Sequence, residues 1–403
     1  MDFTKLYGQN YDAKAMDARF KTLADKFTEC IGSPCEAIYS SSGRAEVIGN
    51  HTDHNHGKVL VAAISCDILA CVKKAKGKIT VCSEGYSPVE VDLSNTAPVP
   101  SETGTSTALV RGIAHAIKSR GYQFDGFVAY TSSNIFKGAG VSSSAAFEVL
   151  IAEIINDLYL GGALTAVDKA VIGQYAENVY FGKPCGLLDQ CGIAIGSLTY
   201  LDFNCPEKPI TEKLHAVDGY SFIITNTGGD HAKLTPHYAA IRTEMNEIAS
   251  YFGKTVMRDV PYDEFFYALP ALKGKYSGRA IMRALHFYCE NERVDLAAQA
   301  LKTGDAPLFL DCINKSGLSS LNLLQNCYVP ADTAQPMVLG IELSRRIIKD
   351  GAIRVHGGGF AGSILAIVND GEAESYMHEM SELFGKNNVF KASVREPGTT
   401  RVC

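Results

Sequence analysis

Gly43-Arg44-Ala45-Glu46-Val47-Ile48-Gly49-Asn50-His51-Thr52-Asp53-His54-Asn55 is the stretch from which the rest of the chain is read. An apolar run ends here in a dense cluster of Arg, Asn, His and Asp. A core strand cannot bury so many polar groups without partners, because each unpaired one costs about 1–3 kcal/mol. The segment is therefore expected to line a polar pocket. Its carboxylate and amide acceptors, its imidazole and its one fixed positive charge suit a hydroxyl-rich ligand. Taken alone, a solvated turn after a strand would explain the same residues.

Two further segments point the same way. Lys137-Gly138-Ala139-Gly140-Val141-Ser142-Ser143-Ser144-Ala145-Ala146 leads into Phe147-Glu148-Val149-Leu150-Ile151-Ala152-Glu153-Ile154-Ile155, which is rich in apolar residues and free of Gly and Pro. That run predicts a long, largely buried helix. The glycines allow a tight turn, and the three serines are expected to supply caps and hydroxyls at the helix start. Backbone N–H groups and the positive end of the helix dipole would then converge on one spot suited to phosphate oxygens, with Lys137 beside it. No Gly-Lys-Ser/Thr ending is present, so this is not a Walker A motif. In Val355-His356-Gly357-Gly358-Gly359-Phe360-Ala361-Gly362-Ser363, four glycines in six residues make a poor strand and a poor helix. Tightly flanked by apolar runs, they fit a place where backbone approaches a ligand or another domain closely.

These segments, in this order, resemble the signatures of the GHMP kinases, and within that family those of the galactokinase group. That group carries Gly-Arg-x-x-x-Ile-Gly-Glu-His-Thr-Asp-Tyr-Asn, matched by Gly43 to Asn55, and Gly-x-Gly-Leu-Ser-Ser-Ser-Ala, matched by Gly138 to Ala145. It also carries Pro-Cys-Gly-x-x-Asp-Gln, which stands here as Pro184-Cys185-Gly186-Leu187-Leu188-Asp189-Gln190. Further similarity lies in Asn226-Thr227, in Tyr238 before Arg242, in Arg283-Ala284-Leu285-His286 with Glu290 and Arg293, and in the Gly357 to Gly362 loop. The match is collinear over nearly the whole chain.

Composition agrees with a globular enzyme of that kind. The chain has 403 residues, enough for two domains with sizeable cores; 46% are hydrophobic and 20% charged. A net charge of −6 gives no general attraction to nucleic acid. No apolar run approaches the roughly 20 residues needed to span a bilayer, and the opening Met1-Asp2-Phe3-Thr4-Lys5 is not a signal peptide. Twelve cysteines without a Cys-x-x-Cys pair read as free thiols in a reducing cytoplasm, and Cys185, inside a motif, as small packing. A monomer that binds a small sugar and ATP is expected, with no nucleic-acid or membrane partner.

Along the chain, a helix-prone arm (1–30) precedes strands at 35–48, 58–73, 78–82 and 88–93. A helix at 104–120, a strand at 126–130, the buried helix after Ser144, a helix at 164–181 and a strand at 198–203 follow. A boundary region at 206–209 divides the chain into expected domains 1–208 and 209–403. The second half opens with a strand at 221–225 and long helical stretches. It closes with the Gly357 loop, a helix at 372–384 and a strand at 389–394. Mixed strands and helices without strict alternation predict two α+β domains. The resemblance implies the same fold class, with an N-terminal domain like a small-subunit ribosomal protein, a ferredoxin-like C-terminal domain, and ligands in the cleft between them.

The resemblance also implies transfer of the ATP γ-phosphoryl group to the anomeric hydroxyl of a sugar, galactose first. Residue by residue, Asp189 matches the general base and Arg44 the cation beside it. Gly138, Ala139, Gly140, Val141, Ser142, Ser143 and Ser144 match the phosphate loop. Ser144 and Glu177 match positions that hold magnesium. His51, Asp53, Gly186 and Tyr238 match sugar contacts. Departures gather at the sugar end: Asn50 stands where the group has Glu, His54 where it has Tyr, and Phe136-Lys137 where it has Pro-Leu. In the group that Glu resembles a ligand of the sugar's 6-hydroxyl. Asn50 would bind it through its amide and, lacking a charge, would tolerate a 6-carboxylate sugar such as galacturonate; N-acetylgalactosamine is a further candidate. Two other readings compete. One is a metal site at His51, Asp53, His54 and His56. The other is a non-catalytic sugar and ATP sensor of transcription, against which the presence of Asp189, Arg44 and the three serines speaks.

Overall fold

In the computed structural model, residues 2–9, 11–136, 140–229, 234–330 and 333–403 are described. The sugar signature begins on strand β1 (Ala37–Ile48), buried along its whole length between a neighbouring strand and helices. It pairs antiparallel with β2 (Lys58–Lys74), and the register slips between Ser42 and Gly43 and again between Glu46 and Ile48. Such irregularities bend a strand and re-aim its side chains. Here they flank Arg44 and Glu46. At the first slip the Arg44 N–H donates to the Val141 carbonyl at 3.1 Å, tying the end of the glycine-serine loop to the sugar strand.

The sheet grows outward through β3 (Lys78–Ser83), β4 (Val89–Asp92) and β5 (Phe127–Ser133), with the order β1-β2-β5-β3-β4; β6 (Leu198–Asp202) pairs with β2 and carries β7 (Ile210–Leu214). Helices cover this sheet: α1 (Ala13–Ile31), α2 (Ser106–Ser119), α3 (Ser143–Leu160), α4 (Ala166–Tyr175) and α5 (Leu188–Ile195). Helix α3 is the buried helix foreseen after Ser144, with Ala145, Ala146, Val149, Leu150, Ile151 and Ile154 all in the core. The helix expected over 164–181 is interrupted. After Tyr175 the chain continues as a π-helical turn, Ala176–Phe181, closed by Gly182 at φ 84°. Wide turns of this kind cluster at functional sites, and this one carries Glu177.

A second, four-stranded antiparallel sheet contains β8 (Tyr220–Asn226), β9 (Gly351–His356), β10 (Ser363–Asn369) and β11 (Val389–Ala392) in the order β11-β8-β10-β9. Numbered within this domain the order is 4-1-3-2, the ferredoxin-like arrangement. Its helices are α6 (Thr235–Tyr251), α7 (Gly278–Thr303), α8 (Ala306–Ser319), α9 (Pro336–Ile347) and α10 (Ala373–Phe384). Strand β7 lies beyond residue 208 yet belongs to the first sheet, and a short β12 (Thr400–Arg401) returns from the second lobe to the free edge of β1. The largest apolar cluster crosses the seam. Val47 and Ile193 of the first lobe share it with Val294, Phe309 and Leu365 of the second. Among the described residues no helix is long and apolar enough to cross a membrane, and all twelve cysteines are unpaired.

Candidate active site

Asp189 stands in the first turn of α5, where the positive end of the helix dipole favours a carboxylate. The Arg44 Nε–H donates to its Oδ1 at 2.8 Å. Arg44 is buried while Asp189 keeps about a third of its side chain exposed (35%), so the pair is fixed on one side and open on the other. Arg44 Nη1 also donates to the Gly140 carbonyl, and the Ser142 hydroxyl donates to Asp189 Oδ2. One carboxylate thus meets both the guanidinium and the glycine-serine loop. Ser142 was expected to cap α3, but it makes no side-chain cap bond. The reason is geometric: at φ 60° its hydroxyl turns to Asp189. Lys137, Gly138 and Ala139 lie outside the described residues. Gly140, Val141, Ser142, Ser143 and Ser144 lead directly into the N-terminus of α3, whose first-turn amides suit an anion.

Below Asp189 lies an acidic tier. Glu177 is buried; Gln190 Nε2 donates to one of its oxygens at 3.1 Å, and Lys183 Nζ to the other at 3.2 Å. The same Gln190 nitrogen donates to Glu148 at 3.0 Å. Burial, then the charge of Glu177, push the Glu148 carboxyl up to about 8. Glu177 and the Ser144 hydroxyl are oxygen donors fit for magnesium, which takes few protein ligands besides phosphates. The Lys183 side chain that pairs with Glu177 is mostly exposed. Among the described residues no cluster of three or more His, Cys, Asp or Glu is arranged to hold a metal on its own. The competing metal reading at His51, Asp53, His54 and His56 therefore falls. Cys185 is half-buried, and burial and then Glu177 push its thiol up.

The sugar signature turns away from β1 at Gly49 (φ 105°), and His51 follows in the left-handed region at φ 57°. Asp53 is half-buried against the Asp189 motif. Its Oδ2 accepts from the Leu188 N–H at 3.5 Å, and a Cβ placed on Gly186 would sit 1.7 Å from that oxygen. Only glycine leaves Asp53 room at 186. Burial, with Glu46 and Asp189 nearby, raises the Asp53 carboxyl to about 6, while burial lowers His51 and holds His54 well below the usual imidazole range. A small cavity of about 140 Å³ opens beside Asp53, bounded by His54, Cys185, Gly186 and Arg242.

The glycine-rich loop makes the close approach foreseen for it. The carbonyls of Gly357, Gly358 and Gly359 accept in turn from Asn50 Nδ2 (2.8 Å), from the His51 ring (2.9 Å) and from the Tyr238 hydroxyl (2.9 Å). A Cβ on Gly359 would lie 2.2 Å from the Asn326 carbonyl. The loop thereby seats three of the residues expected at the sugar.

One of those expectations is corrected. Asn50 is fully buried and spends its whole hydrogen-bonding capacity inside the protein. Its amide donates to Glu46 Oε1 (2.7 Å) and Gly357, and its Oδ1 accepts from Asn326 Nδ2 (2.7 Å) and Ser320 Oγ (3.3 Å). In this conformation nothing of it is left to take a sugar hydroxyl. The charge absent at position 50 is present at Glu46, buried against the Asn50 amide with Arg354 Nη2 3.6 Å away. The case for a 6-carboxylate sugar, which rested on a missing negative charge, loses its footing. Sequence reasoning did not single out Glu46, Ser320, Asn326 or Arg354, because no spacing or periodicity links residue 46 or 50 to residues some 270 to 310 positions away.

A family model for the galactokinase galactose-binding signature matches residues 25–74, and one for the GHMP kinases N-terminal domain matches residues 108–197. A galactokinase of Streptomyces coelicolor is 30% identical over 370 residues, covering 90% of this chain and 92% of that protein. The structure of Lactococcus lactis galactokinase complexed with galactose superposes with a TM-score of 0.81 at 24% identity, over 95% of this chain and 99% of that one. Methanococcus jannaschii mevalonate kinase superposes with a TM-score of 0.63 at 14% identity, over 89% and 98%. Two lobes of these topologies, with a helix N-terminus and an Arg–Asp pair at their seam, define a sugar or small-alcohol phosphotransferase using ATP. Within that class the chain belongs to the galactokinase family of GHMP kinases.

Proposed function

We propose that this protein transfers the γ-phosphoryl group of ATP to the anomeric hydroxyl of galactose, giving the sugar 1-phosphate and ADP. The observation that carries the reading is Arg44. Its guanidinium joins Asp189 to the Gly140 carbonyl, so the group that meets the attacking hydroxyl and the loop that meets the phosphates share one fixed cation. Phosphoryl transfer asks a protein for positioning and charge neutralisation more than for covalent chemistry. Asp189 accepts or orients the proton of the anomeric hydroxyl. Arg44 orients that carboxylate through its Nε–H and offsets charge on the phosphoryl group in flight. Ser142 and Ser143, with the amides of the first turn of α3, hold phosphate oxygens. His51 and Asp53 hold sugar hydroxyls, with Tyr238 beside them on the glycine-rich loop. Ser144 and Glu177 would hold a magnesium ion, which would supply charge neutralisation on the nucleotide phosphates. The free thiols support a reducing, cytoplasmic setting.

The test is ATP consumption by purified protein with magnesium and a panel of galactose, galacturonate, N-acetylgalactosamine, glucose and arabinose. Galactose is expected to be the best acceptor, with turnover lost in Asp189→Asn. Turnover confined to another sugar would overturn the choice of substrate. Binding of ATP and galactose without turnover would overturn catalysis itself and leave a sensor.

A further inference from the structure

The segment from Gly49 to Lys58 belongs to the first lobe in sequence but is held by one helix of the second. Glu290, fully buried on α7, accepts through Oε1 from the Gly49 N–H at 3.0 Å and the Asn50 N–H at 3.4 Å. The Ser316 hydroxyl donates to the same oxygen at 2.5 Å, and Arg293 donates to the other oxygen. One helical turn earlier, the buried His286 meets the Asn50 carbonyl through Nε2 at 2.9 Å and Ser319 Oγ through Nδ1 at 2.8 Å. A carbonyl only accepts, so Nε2 carries the proton and Nδ1 accepts from Ser319. At the far end of the segment, Asn291 Oδ1 accepts from the Lys58 N–H at 2.7 Å. Residues 286, 290 and 291 thus bind the backbone at both ends of the loop.

What they hold is costly to hold. His51 and His56 both sit in the left-handed region, at φ 57° and φ 60°, a conformation that side chains with a Cβ adopt only where surroundings enforce it. A carboxylate taking two consecutive amides, beside an imidazole on the next carbonyl, leaves the Gly49–Asn50 backbone one orientation, and that orientation starts the turn presenting His51 and Asp53. We propose that Glu290 and His286 are positioning residues that set the geometry of the sugar-binding loop from the opposite lobe. This rests on the reading of residues 49–57 as the sugar loop.

The experiment compares wild type with Glu290→Gln, His286→Leu and His286→Gln. It reads KM for galactose, KM for ATP, and amide hydrogen exchange over residues 49–51. Glu290→Gln places an amide donor against Arg293, and His286→Leu removes the donor to Asn50. Each is expected to raise the galactose KM by about tenfold or more, the scale of a lost hydrogen bond involving a charged or buried group, with the ATP KM within about twofold. His286→Gln, which keeps an N–H donor, is expected to restore most of the galactose KM. Faster exchange at residues 49–51 should accompany each rise. An unchanged galactose KM in a folded variant overturns the proposal. So does an equal loss for both substrates, or exchange at 49–51 that stays protected. Should Glu290→Gln fail to fold, the His286 pair decides alone. If wild type phosphorylates no sugar, the functional reading fails, while the exchange data still say whether the two side chains fix the loop.

Discussion

Asp53 joins the sugar loop to the Asp189 motif, and its titration is a direct handle on both. A carboxyl raised to about 6 binds its proton more tightly folded than unfolded, where the ordinary value is 3.8. Its contribution to stability is therefore present at low pH and is lost as pH rises through about 6. On the proposed reading its contribution to sugar binding runs the opposite way, because the ionised carboxylate is the stronger acceptor of hydroxyl protons. The galactose KM is expected to rise as pH falls below about 6, and Asp53→Asn should remove that acid limb; an unaltered limb in the variant would assign it elsewhere. At Asp189, replacement by Asn is expected to lower kcat by about 10²–10⁴-fold, measured by steady-state kinetics, with calorimetry showing that the variant is still folded. Arg44 and Asp189 were legible because each sits in a motif whose neighbours fix its direction. Asn50 was not. Whether its amide faces a ligand or the interior depends on Glu46, Ser320 and Asn326, and the last two reach it only by tertiary contact.

Elements carry the next level of constraint, and the glycine-rich loop shows it most directly. Gly359 combines φ 83° with a wall of backbone 2.2 Å from where a Cβ would be. Gly161, at the end of α3, has φ 59° and open space around it. Gly359→Ala is expected to destabilise by about 2 kcal/mol or more, and Gly161→Ala by about 1 kcal/mol, read from denaturant midpoints. Equal costs would mean that backbone conformation alone, not the approach of Asn326, explains the glycine. Apolar runs and their breakers located most first-lobe strands and helices to within a few residues; the second-lobe helices before residue 372 were read only as long helical stretches without bounds, and strand β7, whose side chains are mostly exposed, and the short α5 were not read at all. Periodicity missed the π-helical turn at Ala176–Phe181, because one widened turn leaves the spacing of apolar residues nearly unchanged. That turn sets Glu177 beside Gln190, which also reaches Glu148.

At the scale of the whole molecule the two lobes are interleaved rather than strung in series. Strand β12 pairs Arg401 with Tyr39 and Thr400 with Ser40, Val402 is buried, and the Thr399 and Ser41 hydroxyls meet at 2.8 Å. Removing residues 399–403 is therefore expected to loosen the first lobe. Hydrogen exchange should quicken at residues 38–41 while β9 and β10 stay protected. A two-residue strand has no period to read, so nothing in the sequence signalled this return. The same pairing bears on how the chain comes to be made. Tyr39 leaves the ribosome long before Arg401 is added; at about 5–20 residues per second the delay is on the order of half a minute. Through that interval β1 offers an unpaired edge to any other nascent chain nearby. A messenger that stalls late in translation would release a polypeptide with most of its proposed catalytic groups in place and the β1 edge at Tyr39 and Ser40 uncovered.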